Sequence, residues 1–195
     1  MGVVYGAGTC GKGKWLITNP DGSLTQERCL WKSMIERCYS EKYQKKKPSY
    51  IGCTVSDGFL DFQTFMLWAE QQVGFGVQGF RLDKDILIKG NKRYSEATCV
   101  FVPHQINSLL ISRKADRGDC PIGVHWSDTH KAFVAQCSVK GRRAYLGMYK
   151  SQEAAFTAYK EYKQGVLRLL AEEYKGVIDV RAYEALKRYQ VEITD

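Results

Sequence analysis

The chain has 195 residues, 44% of them hydrophobic and 26% charged, a composition typical of a globular protein rather than a disordered one. Its 29 basic and 21 acidic side chains leave a net charge of +8, which favours polyanionic partners such as nucleic acid. No apolar run approaches the ~20 residues that a membrane span needs, and the N-terminal segment lacks the features of a secretory signal. We therefore expect a cytoplasmic protein with no membrane partner.

Cysteines are spread through the chain at wide spacings, and there are seven of them. No C-x-x-C pair occurs, so the sequence does not indicate a zinc ribbon or a zinc finger. Without an export signal a disulfide framework is not expected, and we predict reduced, mostly buried thiols. One alternative stays open, which is a zinc site with ligands from separate parts of the chain: Cys10, Cys29, Cys38 and Cys53.

The first 80 residues predict two helices, a basic loop and a short strand. Apolar residues recur at helical spacing from Leu24 onward and predict the first helix. Residues 40–50, SEKYQKKKPSY, predict a loop because they are polar and contain proline. Residues 50–56 predict a strand, and Asp57 is expected to cap a second helix. The apolar residues of that second helix are Phe59, Phe62, Phe65, Met66 and Leu67.

Residues 81–107, RLDKDILIKGNKRYSEATCVFVPHQIN, predict a strand, a polar loop, another strand and the start of a helix. This run resembles the HNH nuclease centre of phage homing endonucleases, a ββα-metal fold whose members carry a run of the form VDHIDGNK…NLRWVT…EN. Two upstream segments strengthen the likeness, LWKSMIERCYS at residues 30–40 and YIGCTVSDGFLDFQTFMLWAEQQ at residues 50–72. The resemblance implies a degenerate HNH-like module in this part of the chain.

The HNH resemblance also implies roles for individual side chains. Asp83 and Asn107 would hold magnesium or manganese, which prefer hard oxygen ligands, and the metal would polarise the scissile phosphate. Lys84 stands where the family has its histidine base, and a lysine protonated at neutral pH cannot accept a proton. Asp85 and His104 are the candidate replacements, His104 because it lies about one helical turn before Asn107.

Purely structural roles for the same residues remain open. Asp83 and Asp85 can pair with the basic residues around them, and Asn107 can hydrogen-bond to a loop. The GNK segment, residues 90–92, can be an ordinary turn. The basic residues that could pair with these carboxylates are Arg81, Lys84 and Lys92.

After a polar segment at residues 112–119, SRKADRGD, the pattern predicts a second module made of a small antiparallel sheet and a long helix. Its strands fall within residues 120–126, 131–139 and 143–149, and the helix follows Ser151. A small apolar face on this helix is expected to pack on the sheet: Ala154, Ala155, Ala158, Tyr159 and Tyr162.

Alternation along the middle strand divides the sheet into two faces. Phe133, Ala135 and Cys137 project from one face of the sheet. The opposite face is polar, and such a surface suits the major groove of DNA. Residues 121–163, with IGVHW, KAFVAQCSV and RRAYLGMYKSQEAAFTAYKEY, resemble the Apetala-type (ethylene-response-factor) DNA-binding domain. The resemblance implies DNA contact by His125, Gln136, Ser138, Arg143 and Tyr145, with Lys131 nearby. Individually, Tyr145 can be a half-buried sheet residue and Arg143 a solvated turn residue.

Together these observations predict an α+β protein with an HNH-like region at residues 1–112, a DNA-binding domain at 118–165 and a helical extension at 166–195. The expected function is that of a phage-type DNA endonuclease that nicks double-stranded DNA with magnesium or manganese, in the host cytoplasm if phage-encoded. The alternative is a regulator built on an inactive nuclease. Its partner would be DNA or a host protein, as for a phage inhibitor of a host enzyme or defence complex.

Overall fold

The computed structural model describes residues 2–110 and 119–195 of a mixed α+β protein. The chain divides into two compact units, Met1–Phe101 and Val102–Asp195. Within the described ranges, no helix has both the length and the apolar character that crossing a membrane requires. Of the predicted polar boundary segment, only Asp119 falls within the described residues. The domain limits predicted from the sequence stay predictions.

The first unit is built mainly from helices, and its strands, of two to four residues each, mostly follow the helices in the chain. Strands β1 and β3 pair in parallel, and β2 pairs with β4, the strand within which the two units divide. A 3₁₀ turn covers Pro48–Tyr50. The elements in chain order are α1 (Gln26–Tyr39), α2 (Glu41–Lys46), β1 (Thr54–Val55), α3 (Asp57–Leu60), α4 (Phe62–Ala69), β2 (Phe80–Asp83), β3 (Arg93–Tyr94) and β4 (Val100–Pro103).

Helix α1 contributes buried side chains to the core of the first unit. It confirms the helix predicted from Leu24 onward. The Thr25 side chain caps it by accepting a hydrogen bond from the Arg28 amide. Trp31 is fully buried, its indole N–H donates to the Phe59 carbonyl at 2.8 Å, and its ring meets Phe62 edge-on at 5.8 Å. The apolar spacing therefore identified both the helix and its buried face.

Two predictions for the first unit are wrong. Residues 40–50 are not a loop, because Ser40 caps the short helix α2 and the Gln44 side chain donates to the Cys38 carbonyl at 2.7 Å. Asp57 does not cap the second helix, since it is already the first residue of α3. Asp61 instead caps α4, where its carboxylate accepts the Thr64 amide at 2.9 Å.

The second unit holds the predicted sheet and long helix. The strands order as β5-β6-β7 and both pairs are antiparallel, which confirms the predicted small antiparallel sheet. Lys140 and Gly141, with φ of 50° and 76°, form the two-residue turn between β6 and β7. The elements are α5 (His104–Leu110), β5 (Val124–Ser127), β6 (Ala132–Val139), β7 (Arg142–Tyr149), α6 (Gln152–Glu173) and α7 (Val180–Arg188).

One face of the sheet packs against α6, with Ala135 and Ala155 both fully buried between them. Gly123 lies so close to the helix that a Cβ built there would be 2.0 Å from the Tyr159 ring. The predicted helix face is partly wrong: Ala154 and Tyr162 are exposed, and the buried stripe is displaced around the helix. That stripe consists of Ala155, Phe156, Tyr159, Lys163, Leu167, Leu170 and Ala171.

Gly123→Ala is expected to lower the free energy of unfolding by about 3 kcal/mol, since it combines overpacking (about 1–3 kcal/mol) with a strained left-handed residue (about 1–2 kcal/mol). Gly123 has a φ of +77° and the Tyr159 ring beside it. Gly141→Ala is the matched control, because Gly141 has a φ of +76° and open space around it. We expect it to cost only about 1 kcal/mol. Urea unfolding measures both, and equal losses would show that the sheet–helix approach is not tight.

Candidate nucleic-acid interface

The face of the sheet turned away from α6, called here the outer face, carries three cross-strand rows, each with at least one polar side chain. Residues directly opposite one another in an antiparallel pair project from the same side. His125 pairs with Val134 on β6, and Val134 pairs with Met148 on β7. Further along the hairpin, the two remaining rows are Gln136 with Tyr145 and Ser138 with Arg143. The structure therefore brings five of the predicted DNA-contacting residues onto one face.

A β-bulge in the β6–β7 hairpin determines which β7 residues reach the outer face. Ala135 pairs with Gly147, but the next residue, Gln136, pairs with Tyr145, so Leu146 is the extra residue on β7. Gly147 has a φ of 126°, a backbone conformation that glycine tolerates. Without the extra residue, Leu146 would stand opposite Gln136. The bulge thus puts Tyr145 on the outer face, and Arg143 two residues before it.

Most of the outer-face polar residues are accessible. His125, Ser138 and Arg143 are exposed, and Tyr145 exposes 62% of its surface. Gln136 is half-buried. This arrangement presents hydrogen-bond donors, acceptors and one permanent cation to a partner, which are the groups that read base edges.

Lys131 lies at the end of the β5–β6 turn rather than within a strand. Its φ of 49° is left-handed, and its ammonium is 3.6 Å from the Asp128 carboxylate. Both side chains are exposed, so this ion pair contributes little and leaves Lys131 able to exchange partners. The sequence placed Lys131 near the polar face, and the structure puts it beside the first residue of β6.

The predicted nuclease residues of the first unit begin with Asp83, the last residue of β2. Only 9% of Asp83 is exposed, and its Oδ1 accepts the amides of Asp85 and Ile86, each at 2.7 Å. Burial raises the pKa of this carboxyl above its ordinary value, and the neighbouring Asp85 carboxylate adds to the rise. Oδ2 accepts no hydrogen bond from the part of the chain that the structure describes.

Lys84, which the HNH resemblance aligns with the histidine base, is buried and hydrogen-bonded within the first unit. Only 6% of it is exposed, and its ammonium lies 5.7 Å from the centre of the Tyr94 ring. That ammonium donates to the Asn91 carbonyl at 2.6 Å and to the Asp85 carboxylate. Asp85, half-exposed, is therefore engaged with Lys84. Of the structural alternatives, the pairing of Asp85 with Lys84 occurs, and Gly90 lies in a turn in which the Asn91 amide donates to the Ile88 carbonyl at 3.0 Å.

Asn91 organises the polar loop between β2 and β3, a role that sequence reasoning missed. Its side-chain amide donates to the carbonyls of Lys84 at 2.7 Å and Arg93 at 2.6 Å. Its Oδ1 accepts the Arg93 amide at 3.1 Å. Asparagine directly after Gly90, whose φ is 77°, was the available signal, because such a pair favours local side-chain to backbone bonds.

His104 and Asn107 lie one turn apart in α5, where His104 is exposed and Asn107 is half-buried. Both belong to the second unit, whereas Asp83, Lys84 and Asp85 belong to the first. The pairing of Asp83 with Asn107 around a metal therefore stays a prediction.

The cysteines are all free thiols, and five are buried, which confirms the expectation of reduced, mostly buried residues. Burial raises the pKa of Cys38 to about 12, so this thiol is unreactive at neutral pH. Within residues 2–110 and 119–195, no three or more His, Cys, Asp or Glu side chains lie together as a metal site would need. The alternative zinc site of Cys10, Cys29, Cys38 and Cys53 is therefore wrong.

Comparison of the chain with protein-family models, with curated proteins and with solved structures found no match.

Replacing Lys84 by methionine is expected to lower the free energy of unfolding by about 1–3 kcal/mol, the cost of leaving a partly buried carbonyl without its hydrogen-bond donor. The carbonyl in question is that of Asn91. Lys92→Met is the control, because the Lys92 ammonium bonds the Ser49 carbonyl at an exposed position. That change should stay within about 0.5 kcal/mol. Thermal unfolding of both variants measures the difference, and a Lys84→Met protein as stable as Lys92→Met would contradict a structural role.

Proposed function

We propose that this chain binds double-stranded DNA through the outer face of sheet β5-β6-β7. The observation that carries the proposal is the set of cross-strand rows, which gathers His125, Gln136, Ser138, Arg143 and Tyr145 on one accessible face. The net charge of +8 supports it, since the electrostatic attraction of phosphates supplies much of the affinity of DNA-binding proteins.

The outer face has the chemistry for reading base pairs. A two- or three-stranded sheet fits the major groove, where each base pair presents its own pattern of donors and acceptors. The Arg143 guanidinium can donate twice to guanine, and the Gln136 amide can both donate to and accept from adenine. Tyr145 and Ser138 lie in the same two rows and offer hydroxyl groups to bases or phosphates.

Arg143→Gln is expected to weaken binding to the preferred duplex by about 1–3 kcal/mol and to relax sequence preference at one position. Selection from a random duplex library identifies that duplex, and fluorescence anisotropy at several salt concentrations measures affinity.

Arg168→Gln is the control for Arg143→Gln. It removes the same charge from an exposed position of α6, the helix that covers the opposite side of the sheet. We expect it to leave sequence preference unchanged. Equal losses in both variants would mean that only net charge matters, and the outer face would not be the reading surface.

Metal-dependent nicking of DNA is a second candidate function, favoured by the Oδ2 of Asp83 at the end of β2, which accepts no hydrogen bond within residues 2–110 and 119–195. A carboxylate oxygen is the ligand type that magnesium and manganese prefer, so Asp83 fits such an ion, and the resemblance adds Asn107 as its second ligand. The bound metal would supply charge stabilisation at the scissile phosphate. Asp85 and His104 are the candidate proton acceptors, of which Asp85 is engaged by Lys84.

The fixed position of Lys84 favours binding without cleavage. Its ammonium is held by the Asn91 carbonyl and the Asp85 carboxylate and cannot act as a base while protonated. A regulator that retains the nuclease fold would need only the DNA-binding face, or a surface for a host protein. Tight DNA binding without metal, together with no nicking, would identify the regulator that binds DNA.

Asp83→Asn separates the two candidates. If Asp83 is a metal ligand, the variant loses plasmid nicking in magnesium or manganese. Its stability in chelator at neutral pH should be equal or higher, since the Asn Oδ1 can still accept the amides of Asp85 and Ile86 and no charge is buried.

The pH dependence follows from the raised pKa of Asp83. The folded state binds this proton more tightly than the unfolded chain, so the carboxyl favours folding at low pH and loses that contribution as pH rises through its folded pKa. Asp83→Asn should therefore reduce the loss of folding stability that occurs as pH rises through the folded pKa of Asp83. Thermal unfolding across pH, compared with Asp85→Asn, tests this, and a variant less stable than wild type at neutral pH would contradict it.

A further inference from the structure

We propose that a groove at the turn end of the β6–β7 hairpin binds a nucleotide phosphate unit, as a second site beside the outer face. The groove has a volume of about 510 Å³ and lies wholly in the second unit. This is within the range of about 300–1,000 Å³ that small-molecule sites occupy. Its lining residues are Val139, Lys140, Arg142, Arg143, Ala144 and Tyr162.

The groove is strongly basic. Among residues 2–110 and 119–195, neither the Arg142 nor the Arg143 guanidinium has a hydrogen-bond or ion-pair partner. Lys140 pairs with Glu173 at 3.1 Å, and both side chains are about half-exposed, so the pair is weak and can rearrange. Guanidinium groups bind phosphate through two parallel hydrogen bonds, which makes two unpaired arginines in one groove a site for a phosphate.

The remaining walls of the groove suit a nucleobase. Val139 and Ala144 supply apolar surface, and Tyr162, 37% exposed on α6, supplies an aromatic ring. Bases stack on aromatic side chains irrespective of sequence, because every base has a flat π-face. A phosphate held by arginine together with a base against tyrosine is the recognition pattern of a nucleotide rather than of an isolated anion.

The groove is a different surface from the outer face. Arg142 pairs with Val139, and their row alternates with the row of Ser138 and Arg143, so Arg142 projects toward the α6 side of the sheet. Only Arg143 belongs to both surfaces. Because Arg142 lines the groove and is not part of the outer face, changes at Arg142 test the groove separately from duplex binding. The ligand can be a free mononucleotide or a nucleotide of single-stranded nucleic acid.

The test uses the full chain and four probes: adenosine monophosphate, inorganic phosphate, a phosphorylated thymidine hexanucleotide and a random-sequence duplex. Calorimetry measures the first two and anisotropy the others. Arg142→Gln is expected to weaken adenosine monophosphate and hexanucleotide binding by about tenfold and to leave duplex binding unchanged. Tyr162→Leu should weaken adenosine monophosphate binding and spare phosphate binding.

Arg168→Gln is again the charge-matched control, since Arg168 does not line the groove. Wild-type affinity of Arg142→Gln for both nucleotides, or no nucleotide binding by the wild type, would overturn the proposal. Equal affinity for phosphate and adenosine monophosphate would overturn its nucleotide part. Tighter binding of the hexanucleotide would support a single-stranded ligand, and equal binding a free nucleotide. Arg143→Gln changes both surfaces, so Arg142→Gln is the variant that decides the groove proposal.

Discussion

The β-bulge at Leu146 is the constraint on which the surfaces of the second unit depend. Side chains of a strand alternate between two faces, so one extra residue moves every residue beyond it to the opposite face. Gly147 tolerates the required backbone, with a φ of 126°. Because of that single insertion, Arg143 and Tyr145 face away from α6, while Ala144 stands opposite Cys137 on the packed side.

The loop between β2 and β3 is shaped by hydrogen bonds to Asp83 and Lys84, two of the residues that the sequence predicts for a nuclease centre. Asp83 keeps its place at the end of a strand, but its Oδ1 is occupied by two backbone amides. The residue after it, Lys84, is fixed by Asn91 and Asp85 in a network that a histidine could not make with the same reach. These hydrogen bonds account for the geometry of the loop without any catalytic role. Cleavage would have to use side-chain groups that the hydrogen bonds leave free.

The repeat of apolar residues, every two residues in strands and about every 3.6 in helices, predicted the long elements well. Alternation identified β6 and its faces, and helical spacing identified α1 and α6. Short elements were less predictable because side-chain to backbone bonds decide them: Ser40 starts α2 in a segment that composition marks as a loop, and Asp61 rather than Asp57 caps α4. The bulge carries no signal in the periodicity of the chain, and the bonds of Asn91 join residues on either side of a turn.

The turn at Lys140 and Gly141 explains how one hairpin can serve two surfaces. A two-residue turn fixes Val139 opposite Arg142, and alternation then sends the adjacent Arg142 and Arg143 to opposite sides of the sheet. The two arginines leave the backbone on opposite sides, yet both line the groove at the hairpin end, and within residues 2–110 and 119–195 neither guanidinium has a partner. Lys140 of the turn pairs with Glu173, the last residue of α6. Positive charge at this end is therefore a consequence of turn geometry and adjacent arginines, and it is available to a phosphate on either side.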